Sequence, residues 1–124
     1  MIGKICTILS PFYDSENQKK AFKKRPALVI AGPRNNDYII LPVSSVSKKE
    51  NLDNEYDIKI DPEKYPDLKL KKVSYIRTHK QTTVHRAEIL GTISSLKEDY
   101  KDLYEKVIET WSEFQYEVLN ESLK

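Results

Sequence analysis

Apolar residues occur along the chain in short bursts, each closed by turn-forming residues. Ile5 to Leu9 is β-branched and apolar and is stopped by Ser10-Pro11, which predicts a first strand. Residues Pro26 to Ala31 form a buried-type strand closed by Gly32-Pro33. Arg34-Asn35-Asn36-Asp37 is then turn chemistry, because Asn and Asp tolerate left-handed backbone, and Tyr38 to Val46 returns as the paired strand of a β-hairpin. Tyr56 to Ile60 alternates apolar with charged residues, as a half-buried strand does. Asp61-Pro62 and Tyr65-Pro66 interrupt the chain before Leu68, Leu70, Val73, Tyr75 and Ile76 lead into a further short strand. Val84 to Ile93 holds a last one, with Gly91 expected at a bulge or tight contact. Six short strands over about 90 residues predict a small β-barrel, mainly β in class and spanning about residues 1–94.

Two segments between the strands lack this pattern. Residues 13–25 hold few core-forming side chains and end in five basic groups within seven positions, which predicts a mobile loop. Lys48 to Asn54 is a second polar loop. The C-terminal segment has a different period. Ser95 with Glu98 matches a capping box immediately before the helical series Leu96, Tyr100, Leu103, Tyr104, Val107, Ile108 and Trp111, predicting one long helix over about 95–120 packed on the barrel. Glu105, Glu109, Glu113, Glu117 and Glu121 recur at every fourth position as an acidic, solvated ridge.

The length of 124 residues leaves room for one domain with one modest core. Charge sharpens the picture more than composition does. The formal net charge of +2 hides an uneven distribution. Residues 1–96 carry 17 basic groups against 11 acidic ones, and residues 97–124 carry four against eight. The barrel is therefore a candidate polyanion surface, while the helix is acidic. A single Cys6 forms no intrachain disulfide, two His and no paired Cys make no zinc site, and no metal or other cofactor is expected. Neither a signal peptide nor a membrane span is indicated, so the expected compartment is the reducing cytoplasm.

Three clusters carry candidate chemistry, and no Gly-rich phosphate loop, nucleophile elbow or metalloprotease motif competes with them. In Lys23-Lys24-Arg25-Pro26 the proline holds Arg25 extended at the start of a strand, so this arginine is better anchored than the lysines before it and can offer its fork to a phosphate. Pro42-Val43-Ser44-Ser45 places hydroxyls at a strand end. In Ser74 to Lys80, period two puts Arg77 and His79 on one face. Such a pair suits metal-free RNA cleavage, in which an imidazole moves protons and a guanidinium stabilises charge on the phosphorus. His85, beside Arg86, is expected to be a surface or structural histidine.

In order and spacing, Gly3-Lys4-Ile5, Lys24 to Ile30, Leu41 to Ser45, Leu70 to Arg77 and Ile89 to Ser94 resemble the PemK/MazF toxins of bacterial toxin–antitoxin modules, over roughly residues 2–110. The resemblance implies an SH3-like barrel with a C-terminal helix and a homodimer. It also implies metal-independent cleavage of single-stranded RNA to a 2′,3′-cyclic phosphate and a 5′-hydroxyl, and a cognate antitoxin with an acidic, disordered tail. On this resemblance Arg25 is the family's Arg-Pro arginine and Ser44 its strand-end hydroxyl, with Ser45 beside it. Arg77 and His79 stand where the PemK branch has an Arg-x-Asp pair. Arg25, Ser44, Arg77 and His79 are the catalytic candidates, and Lys23, Lys24, Ser45, Thr78 and Lys80 the RNA-binding ones. Tyr13, Phe22 and Tyr75 are candidates for stacking on bases.

Two departures separate this chain from the pattern. Ser44 replaces a threonine and keeps the hydroxyl, whereas His79 replaces an aspartate and exchanges a carboxylate for an imidazole. The assignment of acid and base is therefore open between His79 and another group. A catalytically silent nucleic-acid-binding relative and a toxin acting by protein contact, in the manner of topoisomerase poisons, are the alternatives.

Overall fold

Unbroken apolar runs in the central strands build a sheet that is buried on both faces. The computed structural model describes residues 1–46 and 48–124. Its strands are β1 (Lys4–Asp14), β2 (Lys19–Arg34), β3 (Asp37–Ser44), β4 (Asp57–Ile60), β5 (Ser74–Arg77), β6 (Thr82–His85) and β7 (Ile89–Ser95), followed by α1 (Leu96–Asp99) and α2 (Lys101–Ser122). The strands run in the order β4-β5-β3-β2-β1-β7 in a curled half-barrel sheet. The free edge of β3 is shared: its first half pairs with β6 and its end with β5, as Val43 opposite Ile76 and Ser44 opposite Tyr75. The mainly β class with a C-terminal helix, expected from the sequence, is the fold observed.

Successive residues of β2 enter different cores. Leu28 joins Ile5, Leu41, Val43, Ile58 and Ile76 under the helices, where Leu96, Leu103 and Val107 close that core. Ala27 and Val29 face the other way and join Cys6, Ile8, Tyr38, Ile40 and Val84, a smaller core covered by β6. Burying one such side chain contributes about 1.5–3 kcal/mol, so the sheet is secured from both sides.

Three expectations are corrected. Residues 13–25 are not a loop: β1 and β2 continue as a paired ribbon from Ile8 opposite Arg25 to Asp14 opposite Lys19. The Asp14 carboxylate closes the turn by accepting from the amides of Glu16 and Asn17, and Gln18 takes a left-handed φ of 50°. The ribbon overhangs the sheet with both faces in solvent, which removes the hydrophobic period that would mark it as strand. Ser10-Pro11 does not stop β1, because β7 pairs only as far as Ile8 and a proline beyond that point faces an unpaired edge. Seven strands replace six, since a turn of 3-10 helix at Arg86–Glu88 divides Val84 to Ile93, with His85 Nδ1 accepting the Ala87 amide. Of the two expectations for Gly91 the bulge holds, since it lies between two register shifts, and the tight contact does not, since open space surrounds it.

Other local expectations hold. Asn35 and Asn36, at φ 53° and 65°, make the two-residue turn between β2 and β3. Ser95 Oγ accepts from the Glu98 amide at 3.4 Å as the helical cap. The predicted single helix is interrupted once, at Tyr100. There the Tyr100 hydroxyl exchanges hydrogen bonds with Asp67 and the ring packs edge-on against Tyr65. Among the described residues, no helix is long and apolar enough to cross a membrane.

Candidate nucleic-acid interface

Period two places a set of chemically active residues on one face of the sheet. Arg25 shares the face of Ala27 and Val29, and Ser44 that of Tyr38 and Ile40. On β5 and β4, Ile76 and Ile58 point into the helix-side core, so Tyr75, Arg77 and Asp57 point to the face of Arg25. Across the strands this face reads Arg25, Ser44, Tyr75, with Arg77 and Asp57 one step further along.

Two depressions meet at Arg25 and Ser44. One, of about 160 Å³, is lined by Ser10, Arg25, Pro42, Ser44, Thr82 and Glu88, among others. The second, of about 340 Å³, joins Arg25, Ser44 and Ser45 to Lys69, Lys71 and Lys72. Arg25 is exposed and has no ion pair among the described residues. Its planar fork beside two hydroxyls and three lysines is an arrangement suited to phosphate. The three lysines and Glu88 were missed from sequence: Lys69 to Lys72 lie in a turn that the apolar pattern treats only as a lead-in to β5, with Lys69 itself in left-handed backbone.

Arg77 and His79 form a second cluster, and neither lines these two depressions. The chain leaves β5 at Arg77, so His79 stands in a turn rather than on the strand. Both side chains still converge on Asp57, whose side chain is fully buried. Arg77 Nε donates to Asp57 Oδ1 at 3.1 Å, and Nη2 donates to Asp57 Oδ2 at 3.3 Å and to the Asn51 carbonyl at 2.8 Å. His79 Nδ1 lies 3.6 Å from Asp57 Oδ1, and Nε2 lies 4.0 Å from Asp53 Oδ2. Partial burial would raise the Asp53 carboxyl above its ordinary value. The amides of Tyr56 and Glu55, which donate to it, and the nearby His79 and Arg77 outweigh that and hold it below.

The far end of α2 covers this second cluster. Phe114 packs edge-on against Tyr56 and His79, with ring centroids 5.0 and 6.1 Å apart. Trp111 Nε1 donates to Gln81 Oε1 at 2.8 Å, and the Tyr56 hydroxyl donates to the Glu117 carboxylate. One member of the acidic ridge is therefore a hydrogen-bond partner rather than only a solvated charge. That bond, reinforced by burial, pushes the Tyr56 phenol well above its ordinary value of 10.0. A raised tyrosine favours its neutral form in the folded state, so its contribution is complete below about pH 10 and is lost as pH rises through the folded value. Ultraviolet titration of tyrosinate should find that Tyr56→Phe removes the last group to ionise; an unchanged high-pH limb would contradict the Glu117 contact.

The remaining candidates divide. Lys23, Ser45, Lys24 and Lys80 are exposed. Lys23 shares the Arg25 face and lies 4.5 Å from the centre of the Phe12 ring, whereas Lys24, Tyr13 and Phe22 project from the opposite face of the ribbon. Thr78 is fully buried and its hydroxyl donates to the Tyr56 carbonyl at 2.6 Å, a structural task that withdraws it from any RNA surface.

Fold and clefts together define a class: a half-barrel capped by a C-terminal helix, with cations and hydroxyls gathered in depressions around Arg25 and Ser44. The family model of the PemK-like, MazF-like toxins of type II toxin–antitoxin systems matches residues 3–111, and the chain belongs to that family. No curated protein matches it. Membership implies an antitoxin as partner.

Proposed function

We propose that this toxin is a metal-independent endoribonuclease that cuts single-stranded RNA. The observation that carries the proposal is the exposed Arg25, unpaired among the described residues and set between Ser44, Ser45 and the lysines at 69, 71 and 72. Arg25 grips the scissile phosphate from β2 and Ser44 donates to one of its oxygens. Arg77 approaches from β5 with Nη1, the nitrogen left without a protein partner among the described residues. His79 Nε2 takes the proton of the 2′-hydroxyl as the O2′–P bond forms; the P–O5′ bond breaks, and O5′ leaves with a proton from water. The products are a 2′,3′-cyclic phosphate and a 5′-hydroxyl. The protein acts in the cytoplasm as a homodimer, on the pattern that its family suggests.

The electrostatic part of this reading is measurable by itself. Affinity for single-stranded nucleic acid falls with salt by about 0.7 logarithmic units per neutralised phosphate for each tenfold rise. Lys23→Ala and Lys72→Ala should each reduce that slope by about 0.7 in fluorescence-anisotropy titrations. A slope unmoved by either would remove these lysines from the interface.

Incubating the purified protein with a long single-stranded RNA in EDTA, then mapping the ends, tests the proposal. Fragments with 5′-hydroxyl ends support it. Binding without cleavage would instead mean a silent nucleic-acid-binding relative, and neither binding nor cleavage a toxin that acts by protein contact.

A further inference from the structure

We infer that Asp57 is the positioning residue of this site, fixing the Arg77 guanidinium and the tautomer of His79 from the neighbouring strand. The inference rests on the ribonuclease reading above. Position 79 holds an imidazole where the resembling pattern holds a carboxylate, and the carboxylate in contact with Arg77 comes from β4 instead, where Asp57 stands directly opposite Arg77 in register.

A fully buried carboxylate persists only when its oxygens are satisfied, and both oxygens of Asp57 accept hydrogen bonds. Oδ2 accepts from the Asp53 amide at 2.8 Å and from Arg77 Nη2 at 3.3 Å; Oδ1 accepts from Arg77 Nε at 3.1 Å and faces His79 Nδ1 at 3.6 Å. Three of the five guanidinium hydrogens of Arg77 are thereby held by Asp57 and the Asn51 carbonyl, which fixes the fork and leaves the Nη1 pair. His79 Nδ1 is a buried polar atom with no hydrogen bond among the described residues, and the Asp57 oxygen beside it is an acceptor. A movement of roughly half an ångström brings the two to hydrogen-bond length, the kind of tightening that substrate produces in sites left loose without it.

An ionised carboxylate only accepts, so contact with it selects the Nδ1–H tautomer and leaves Nε2 as the nitrogen that exchanges a proton with substrate. The ring packs against Tyr56 and Phe114, which also meet each other edge-on. The charged groups near it are Asp53 and Asp57 from the 53–57 segment and Arg77 from β5; from α2, Glu117 is held by the Tyr56 hydroxyl. When Nε2 gains the proton, Asp53 Oδ2 stands on that side and Asp57 on the other.

Nitrogen NMR of the full chain labelled at histidine reads the tautomer directly. The wild-type protein is expected to show neutral His79 protonated at Nδ1. Asp57→Asn should shift it toward Nε2–H, because the new amide donates to Nδ1. The same variant should lose at least about 100-fold in kcat with KM changed less than about threefold. An Nε2–H tautomer in the wild-type protein overturns the inference without needing a variant that folds. A folded Asp57→Asn protein with unchanged kcat overturns it as well. A wild-type protein that shows the Nδ1–H tautomer but cuts no RNA would instead defeat the ribonuclease reading, leaving the hold of Asp57 on the imidazole standing.

Discussion

Replacing Arg25 by Ala should lower kcat/KM for RNA cleavage by about 10²–10³-fold, the usual cost of deleting one preorganised donor to a charged transition state. The fold should be untouched. Arg25 is exposed and unpaired among the described residues, so its removal should change stability by no more than about 0.5 kcal/mol. Arg25→Lys keeps the charge but loses the planar fork, and should fall between the two. Steady-state kinetics beside thermal melts checks this. A variant with full activity removes Arg25 from the site; one that is inactive because it is unfolded leaves the packing account of β2 in error.

The largest effect on stability is expected at Ile76. Its side chain is fully buried, opposite Val43 on one side and Ile58 on the other. Ile76→Ala deletes methylenes from the helix-side core and leaves a cavity, which should cost about 2–5 kcal/mol in denaturant unfolding. Tyr75 and Arg77 flank it on β5, so the same change should also loosen the Arg77–Asp57 pair and lower cleavage in the fraction that remains folded. A loss below about 1 kcal/mol would mean that this core collapses around the gap.

The parts of this account that were legible in the sequence are those that face a core. Ile58 and Ile60 alternate with charged residues because one face of β4 is buried, Ala27 to Val29 form an unbroken apolar run because both faces of β2 are, and the Leu103–Val107 spacing reports the helix face that packs on the sheet. The turn at Asn35-Asn36 was legible because its backbone requires residues that tolerate left-handed φ. The ribbon at 13–25 was not, since strands with solvent on both faces need no alternation. Its prediction as a loop followed from composition alone.

The candidate site divides along the same line. Arg25 was legible because Pro26 marks where the chain enters the core, although β2 itself begins at Lys19 and Arg25 lies within it rather than at its start, and Ser44 because it ends β3. Asp57 escaped notice because, in an alternating strand, a charged residue next to Ile58 looks like the solvent half of the pattern. Its task depends on Arg77, twenty positions away in sequence and adjacent only through the pairing of β4 with β5. The cover over His79 was hidden for a similar reason. Phe114 and Glu117 lie beyond residues 3–111, the span that matches the family, and nothing in the helical period of α2 states what its last turns lie against.

RNA is proposed to lie on the sheet face that carries Arg25 and Ser44. Amide chemical-shift mapping with a single-stranded RNA made uncleavable by 2′-deoxy substitution tests it most directly. The amides of Arg25, Ser44, Ser45, Tyr75 and Arg77 should move together on titration. Shifts confined to residues 112–122 of α2, or none at saturating RNA, would contradict it.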